Sequence, residues 1–369
     1  MKRRKLALGT LLLASAAMAA LVFAGASSGR TNAGAFKVAW IYVGPHNDGG
    51  WSQAHDDGRL YVQKMLGSKV QTTYKENIAV GQQFNQTVAS LSAQGYKMIF
   101  ATSYGMITKQ LAAKYPNILF EQATGTDLSK NLAEYFGRAE DTVFLSGMAA
   151  GYASKTGKLG DVLAFPIPEV VRHANAFALG AQYAHPGATV QVVWTHSWYN
   201  PAAEKKAAES LAAAGADVIG QNVDSPAAGQ FAESKGLPWV GYDSDASKFA
   251  PKSWLTASVY DWGIYYLKRV KAAMAGTWKS GFYYGTINDG FTKLAPYGPG
   301  VTAAAKAKIA AVEKKMENGS FYEFQGPLYD QSGKLRVAKG VKMDVLKGGA
   351  NSLYGMNWFV KGVIGSPKG

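Results

Sequence analysis

Cysteine is absent from all 369 residues, which removes disulfides, zinc–thiolate sites and cysteine nucleophiles together. Other signatures are missing as well. There is no G-x-x-x-x-G-K-[ST] phosphate loop, no G-x-G-x-x-G after a strand and no H-E-x-x-H helix. No Ser occupies a G-x-S-x-G elbow between a strand and a helix. The five histidines (His46, His55, His173, His185 and His196) are scattered without ligand spacing. His173 falls in a helical pattern and His185 precedes Pro186 in a turn, so both read as structural or surface residues. Beyond the N-terminal segment, no stretch is long and apolar enough to span a bilayer. The formal charge is +14, but it comes from single lysines spread along helices rather than from runs. That distribution describes solvated faces and argues against nucleic acid or anionic membrane as a partner.

The first residues form a targeting segment rather than part of the fold. Lys2-Arg3-Arg4-Lys5 is a basic n-region, Leu6 to Phe23 an apolar core, and Ala24-Gly25-Ala26 a small-residue cleavage site. Residues 1–26 are therefore expected to be removed on export to a periplasm. With no Cys near the site, no lipid can be attached there.

From Ala35 onward, short apolar runs alternate with helical periodicities. Strands are expected at Lys37–Val43, Val70–Tyr74, Met98–Thr102, Ile118–Gln122, Asp161–Phe165, Val190–Thr195, Val218–Gln221, Trp239–Tyr242 and Leu255–Val259. Helices such as Phe84/Val88/Leu91, Ala203/Ala207/Leu211 and Leu267/Val270/Met274 stop at Gly95, Gly215 and Gly276, the usual C-terminal punctuation. Such alternation means βαβ units and parallel sheets, and the strand count exceeds one compact sheet. Two lobes follow, in an α/β fold. The tail departs from the repeat: Thr302–Asn318 reads as a charged helix, Phe321–Val337 and Tyr354–Val363 as irregular β, and Gly281–Gly300 as a crossover or loop.

Ligands of open parallel sheets sit beyond the carboxyl ends of the strands, and that edge is unusually furnished here. Gly44-Pro45-His46-Asn47-Asp48-Gly49-Gly50-Trp51 follows the first strand with a carboxylate, two glycines that permit close approach and an indole. Ser103-Tyr104-Gly105, Pro166-Ile167-Pro168-Glu169 and Ser197-Trp198-Tyr199 end later strands. Asn222-Val223-Asp224-Ser225 and Gly241-Tyr242-Asp243-Ser244-Asp245 complete the set. Six such positions across both halves imply a cleft between lobes. His46 and His196 flank it as possible donors. Asp243 and Asp245 have no nucleophile or metal beside them, so hydrogen bonding or helix capping suits them better than acid–base catalysis.

In this order, the strand-end residues resemble the basic membrane protein family of ABC-transporter substrate-binding proteins, which includes the purine nucleoside receptors. The likeness rests on Asp48-Gly49-Gly50-Trp51-Ser52-Gln53, Phe144-Leu145-Ser146-Gly147, Asp224-Ser225, Gly241-Tyr242-Asp243-Ser244-Asp245 and Leu255-Thr256-Ala257-Ser258, and covers about residues 36–365. Pro166 to Val171 and Asn222 to Ser225 look closest to a branch associated with adenine-like nucleobases. The resemblance implies a type I periplasmic-binding-protein fold with two Rossmann-like lobes and three crossovers, near Gly137–Asp141, Val259–Asp261 and Pro296–Gly300. Lobe one would take 36–140 and 259–296, lobe two 141–258 and 297–369.

The same resemblance implies a monomeric, cofactor-free carrier that delivers a small purine to an inner-membrane permease. Gly49-Gly50 stand where nucleoside-binding members carry larger residues, which points to a free base. Trp51 and Trp198 would stack on it, Glu169 would accept its N–H groups, and Asp48, Ser103 and Tyr104 would complete the rim. Asp261 and Lys293 sit where nucleoside receptors hold the ribose, while Asp224, Gly241 and Asp243 would line the second-lobe wall. For each Asp the alternative is capping of the following helix, and Trp194, Trp239 and Trp278 are assigned to the core. Rival functions are a nucleoside receptor, a secreted nucleoside or amide hydrolase, and a ligand sensor for a membrane receptor.

Overall fold

The computed structural model describes residues 34–345, 349 and 351–369; the expected leader, 1–26, lies outside the described residues. The first half alternates β1 (Phe36–Ile41), α1 (Trp51–Leu66), β2 (Val70–Lys75), α2 (Gln82–Ala93), β3 (Met98–Ala101), α3 (Lys109–Lys114), β4 (Leu119–Ala123) and β5 (Leu132–Gly137). The second runs through α4 (Ala139–Ala153), β6 (Lys158–Leu163), α5 (Pro168–Ala184), β7 (Thr189–Trp194), α6 (Pro201–Ala213), β8 (Val218–Asn222), α7 (Ala227–Ser234), β9 (Trp239–Asp243) and β10 (Trp254–Tyr260). The chain then returns through α8 (Trp262–Met274), β11 (Phe282–Gly285), β12 (Thr292–Leu294) and α9 (Ala303–Glu317). A short ribbon, β13 (Leu328–Tyr329) with β14 (Leu335–Val337), and the edge strand β15 (Val363–Ile364) finish it.

The strands form two main sheets, ordered β11-β5-β4-β3-β1-β2 and β12-β10-β9-β8-β6-β7-β15. All pairings are parallel except β10 with β12. Within each half the first five strands follow the same winding, second-first-third-fourth-fifth. The order therefore reverses between β1 and β3 in one sheet and between β6 and β8 in the other. Loops diverge at such switch points and leave a crevice. Both switch points carry residues singled out above.

Three strands of the main sheets, β5, β11 and β12, escaped the sequence reading. β5 carries Glu134 in mid-strand, which breaks the apolar run; the side chain is buried and takes a hydrogen bond from Gln122 Nε2 at 2.9 Å. β11 reads as a Gly- and Tyr-rich loop, yet it pairs with β5 along Phe282 to Gly285. The third passage between the sheets also differs from expectation. β12 already pairs with β10, so the chain crosses between Gly285 and Thr292, ahead of Pro296–Gly300.

Helix α4 is buried on every side, with α5, α9 and β10 packed about it, and beyond the acidic first turn its residues are mostly small or apolar. Its pairing with α5 depends on glycine. A Cβ built at Gly180 would overlap the Phe144 carbonyl oxygen, and one at Gly147 or Gly151 would lie 3.0 Å from Phe177 Cα or Ala181 Cα. The two backbones therefore touch without side chains between them. Gly180→Ala should separate the helices and destabilise the protein by roughly 1–3 kcal/mol, the usual cost of overpacking. Thermal denaturation checks this; an unchanged melting temperature contradicts it.

Candidate ligand-binding site

A cavity of about 730 Å³ lies between the switch points, within the ~300–1,000 Å³ range of small-molecule sites. Val43, Trp51, Ser103, Tyr104, Thr124 and Thr126 line it from loops after β1, β3 and β4. The opposite wall is Phe165 to Glu169 and Arg172 after β6, Trp198 after β7, Asp224 after β8, and Tyr242 with Asp243 on β9. Tyr354, from the C-terminal segment, closes one side.

Each indole is fixed to its own half. Trp51 opens α1 and donates Nε1–H to the Thr102 carbonyl at 2.7 Å, with its ring edge-on to His55 and Trp262. Trp198 packs edge-on against Phe165, ring centroids 5.5 Å apart. Pro168 at the first turn of α5 sets the helix start and presents Glu169 to the cavity. That carboxylate has no hydrogen-bond partner among the described residues, and burial holds its pKa up against the opposing pull of Arg172. Ser103 and Tyr104 reach the same space, Tyr104 largely exposed.

Other expected residues stand elsewhere. Asp48 does not line the cavity: its carboxylate accepts backbone N–H groups from Gly50, Ser52 and Gln53 at 2.9, 2.9 and 3.0 Å. Capping is its role. Gly241 is a packing glycine, since a Cβ there would lie 2.6 Å from the Trp254 ring. Asp261 and Lys293 pair with each other at 2.7 Å outside the cavity lining. His46 is held by Glu76 at 2.7 Å and His196 is likewise not on the wall. Trp239 is fully buried; Trp194 and Trp278 are half-buried against the fold. The sequence reading missed Arg172, Tyr354, Thr124 and Thr126. Arg172 stands within the apolar run Val170-Val171-Arg172-His173-Ala174, and Tyr354 lies far along an irregular tail.

The glycines after β1 serve a different approach from the one expected. A Cβ at Gly50 would sit 2.7 Å from Asp224 Cα, and Ser244 Oγ donates to the Gly49 carbonyl. What comes close to this turn is the backbone of the second half. The contact also gathers carboxylates: burial pushes Asp224 well above the usual range, and Asp48, Asp243 and Glu204 reinforce it by like charge. Asp243 is raised by burial, then by Glu169 and Asp48. Among the described residues, no group of three or more such side chains is arranged to hold a metal ion.

Comparison with known proteins agrees with this architecture. The family model for PnrA-like ABC-transporter substrate-binding proteins (Bmp) matches residues 35–320. A purine-binding protein of Brucella abortus is 38% identical over 89% of this chain and 92% of its own. A candidate ABC-transporter glucose-binding protein of Haloferax volcanii is 34% identical over 83% of this chain and 77% of its own. Among solved structures, a solute-binding protein of an ABC transporter system from Conexibacter woesei superposes with TM-score 0.66 at 21% identity, over 78% of this chain and 98% of that one. The fold is the type I periplasmic-binding-protein fold.

Two outcomes follow. Gly50→Val places bulk against the Asp224 backbone and should keep the halves apart; small-angle scattering is expected to show a larger radius of gyration than wild type, and an identical curve contradicts the contact. A carboxyl raised in the folded state destabilises it above the unfolded pKa, so stability is lost as pH rises through the folded value. Asp224→Asn should therefore raise the melting temperature near neutral pH, with the gain shrinking as pH falls toward the ordinary value of 3.8. A gain independent of pH would contradict the assignment.

Proposed function

This chain belongs to the family of PnrA-like ABC-transporter substrate-binding proteins, and we propose that its ligand is a purine, with the free base adenine as the preferred form. Family membership makes it a substrate-binding protein rather than an enzyme, with a small-molecule ligand and a membrane permease as partners. The proposal adds export by the leader, cleavage near Ala26 without lipidation, and service as a periplasmic monomer.

The observation that carries the purine reading is the furniture of the cavity: one indole on each wall and an uncommitted carboxylate at the start of α5. A purine is flat and apolar on its faces, with donors and acceptors on its rim. Stacking on aromatic side chains contributes roughly 1–3 kcal/mol per base. Micromolar affinity needs about 8 kcal/mol, so rim hydrogen bonds and closure of the halves must supply the rest. Glu169 is the acceptor for an amino or ring N–H, with Ser103 and Tyr104 at the rim. Asp224 and Asp243 stand on the second wall. The Brucella relative, named for purine binding, supports this choice.

A nucleoside is the second reading, and one observation favours it. Gly49 and Gly50 are occupied with the second half of the protein, so their small size no longer argues for a small ligand. Asp261 and Lys293 would have to leave their mutual pair to meet a ribose. Closure in either case follows from ligand contact with both walls, since a ligand favours the closed form only by what it gains there.

Titration calorimetry with adenine, adenosine and glucose separates the readings. Adenine is expected to bind most tightly, and Trp198→Ala to weaken it at least about tenfold, or 1.4 kcal/mol. Unchanged affinity removes Trp198 from the site. Tighter adenosine makes the nucleoside reading correct, and binding of glucose alone overturns both.

A further inference from the structure

We propose that Arg172 and Tyr354 form a donor subsite that reads one acceptor atom on the edge of the bound heterocycle, beside the Glu169 carboxylate that takes a donor. This rests on the purine reading and specifies which groups discriminate within it.

Arg172 is only 1% exposed, yet it lines the cavity. Its Nε donates to Glu140 Oε1 at 2.8 Å, and Glu140, itself fully buried, also accepts from the Tyr284 hydroxyl at 3.2 Å. These bonds fix the inner side of the guanidinium. Its Nη2 finds no acceptor among the described residues. A buried charged donor left unpaired is costly, and a guanidinium presents its N–H groups in a rigid planar fork. The cavity that Arg172 lines is where a ligand atom can supply the missing acceptor.

Tyr354 carries the same signature. Its hydroxyl is buried without a partner among the described residues, its ring lies 5.6 Å from the Arg172 guanidinium, and it too lines the cavity. Glu169 precedes Arg172 by three residues on α5, the spacing that places two side chains on one helix face. One stretch of wall thus offers a free acceptor next to two free donors. The rim of adenine places an amino donor beside ring-nitrogen acceptors, which matches that alternation. A sugar hydroxyl donates and accepts equally, so it would satisfy these groups without the discrimination tested here.

The test replaces ring nitrogens one at a time. Adenine and its 1-deaza, 3-deaza and 7-deaza analogues are titrated against wild type, Arg172→Gln and Tyr354→Phe. In wild type, one analogue should bind at least about tenfold more weakly than adenine, having lost its acceptor. That penalty should fall to about threefold or less in each variant, because one of the two donors that read the acceptor is already gone. Equal binding of all four ligands by wild type overturns the subsite, as does a penalty that persists unchanged in both variants. Should Arg172→Gln fail to fold, with Glu140 left uncompensated, Tyr354→Phe decides alone. Folded wild type that binds neither adenine nor adenosine refutes the purine reading itself, and the subsite falls with it.

Discussion

Everything in this molecule that bears on ligand capture depends on backbone meeting backbone where the turn after β1 touches the loop after β8. Gly49 and Gly50 allow it: without side chains they leave the Asp224 main chain free to come against the start of α1, and Ser244 ties the neighbouring carbonyl. Asp48 holds the turn in shape from beneath by accepting three N–H groups. The cavity exists because the two switch points meet here rather than gaping.

The contact has an electrostatic consequence. It sets Asp48 of the first half against the buried Asp224 and Asp243 of the second, and like charge across the contact opposes the approach of the halves. Proton uptake relieves that repulsion, and so does a ligand whose N–H groups point at the second wall. Carboxylates beside Arg172 form a second electrostatic layer, in which Glu140 neutralises the guanidinium and Glu169 remains uncommitted. A donor-rich, flat ligand answers both layers.

The sequence disclosed most strands of both sheets and their alternation with helices, because parallel strands buried on two faces read as short apolar runs and helices end in glycine; the order of the strands came only from the structure. It disclosed which loops meet, since every strand end falls on one edge. Trp51, Ser103, Tyr104, Glu169, Trp198, Asp224 and Asp243 do come together around one cavity. What it could not disclose was direction. Asp48 looks like a ligand group until its carboxylate is seen turned onto its own helix, and Gly241 until its neighbour is seen to be Trp254. Arg172 was hidden for the opposite reason: within Val170-Val171-Arg172-His173-Ala174 a charged residue is masked by its apolar neighbours. β5 escaped because a buried glutamate interrupts it, a local pattern overridden by tertiary hydrogen bonding.

The claim that organises this account is that a purine draws the halves together across the Asp224 contact. Since the chain has no cysteine, a Gln86→Cys, Lys206→Cys variant takes spin labels at two chosen surface positions only, one on α2 and one on α6. Pulsed electron spin resonance with and without saturating adenine then reads the separation of the halves directly. The account predicts a broad distribution without ligand that collapses to one shorter distance with it. A distribution unaltered by a purine that calorimetry shows to be bound would contradict it.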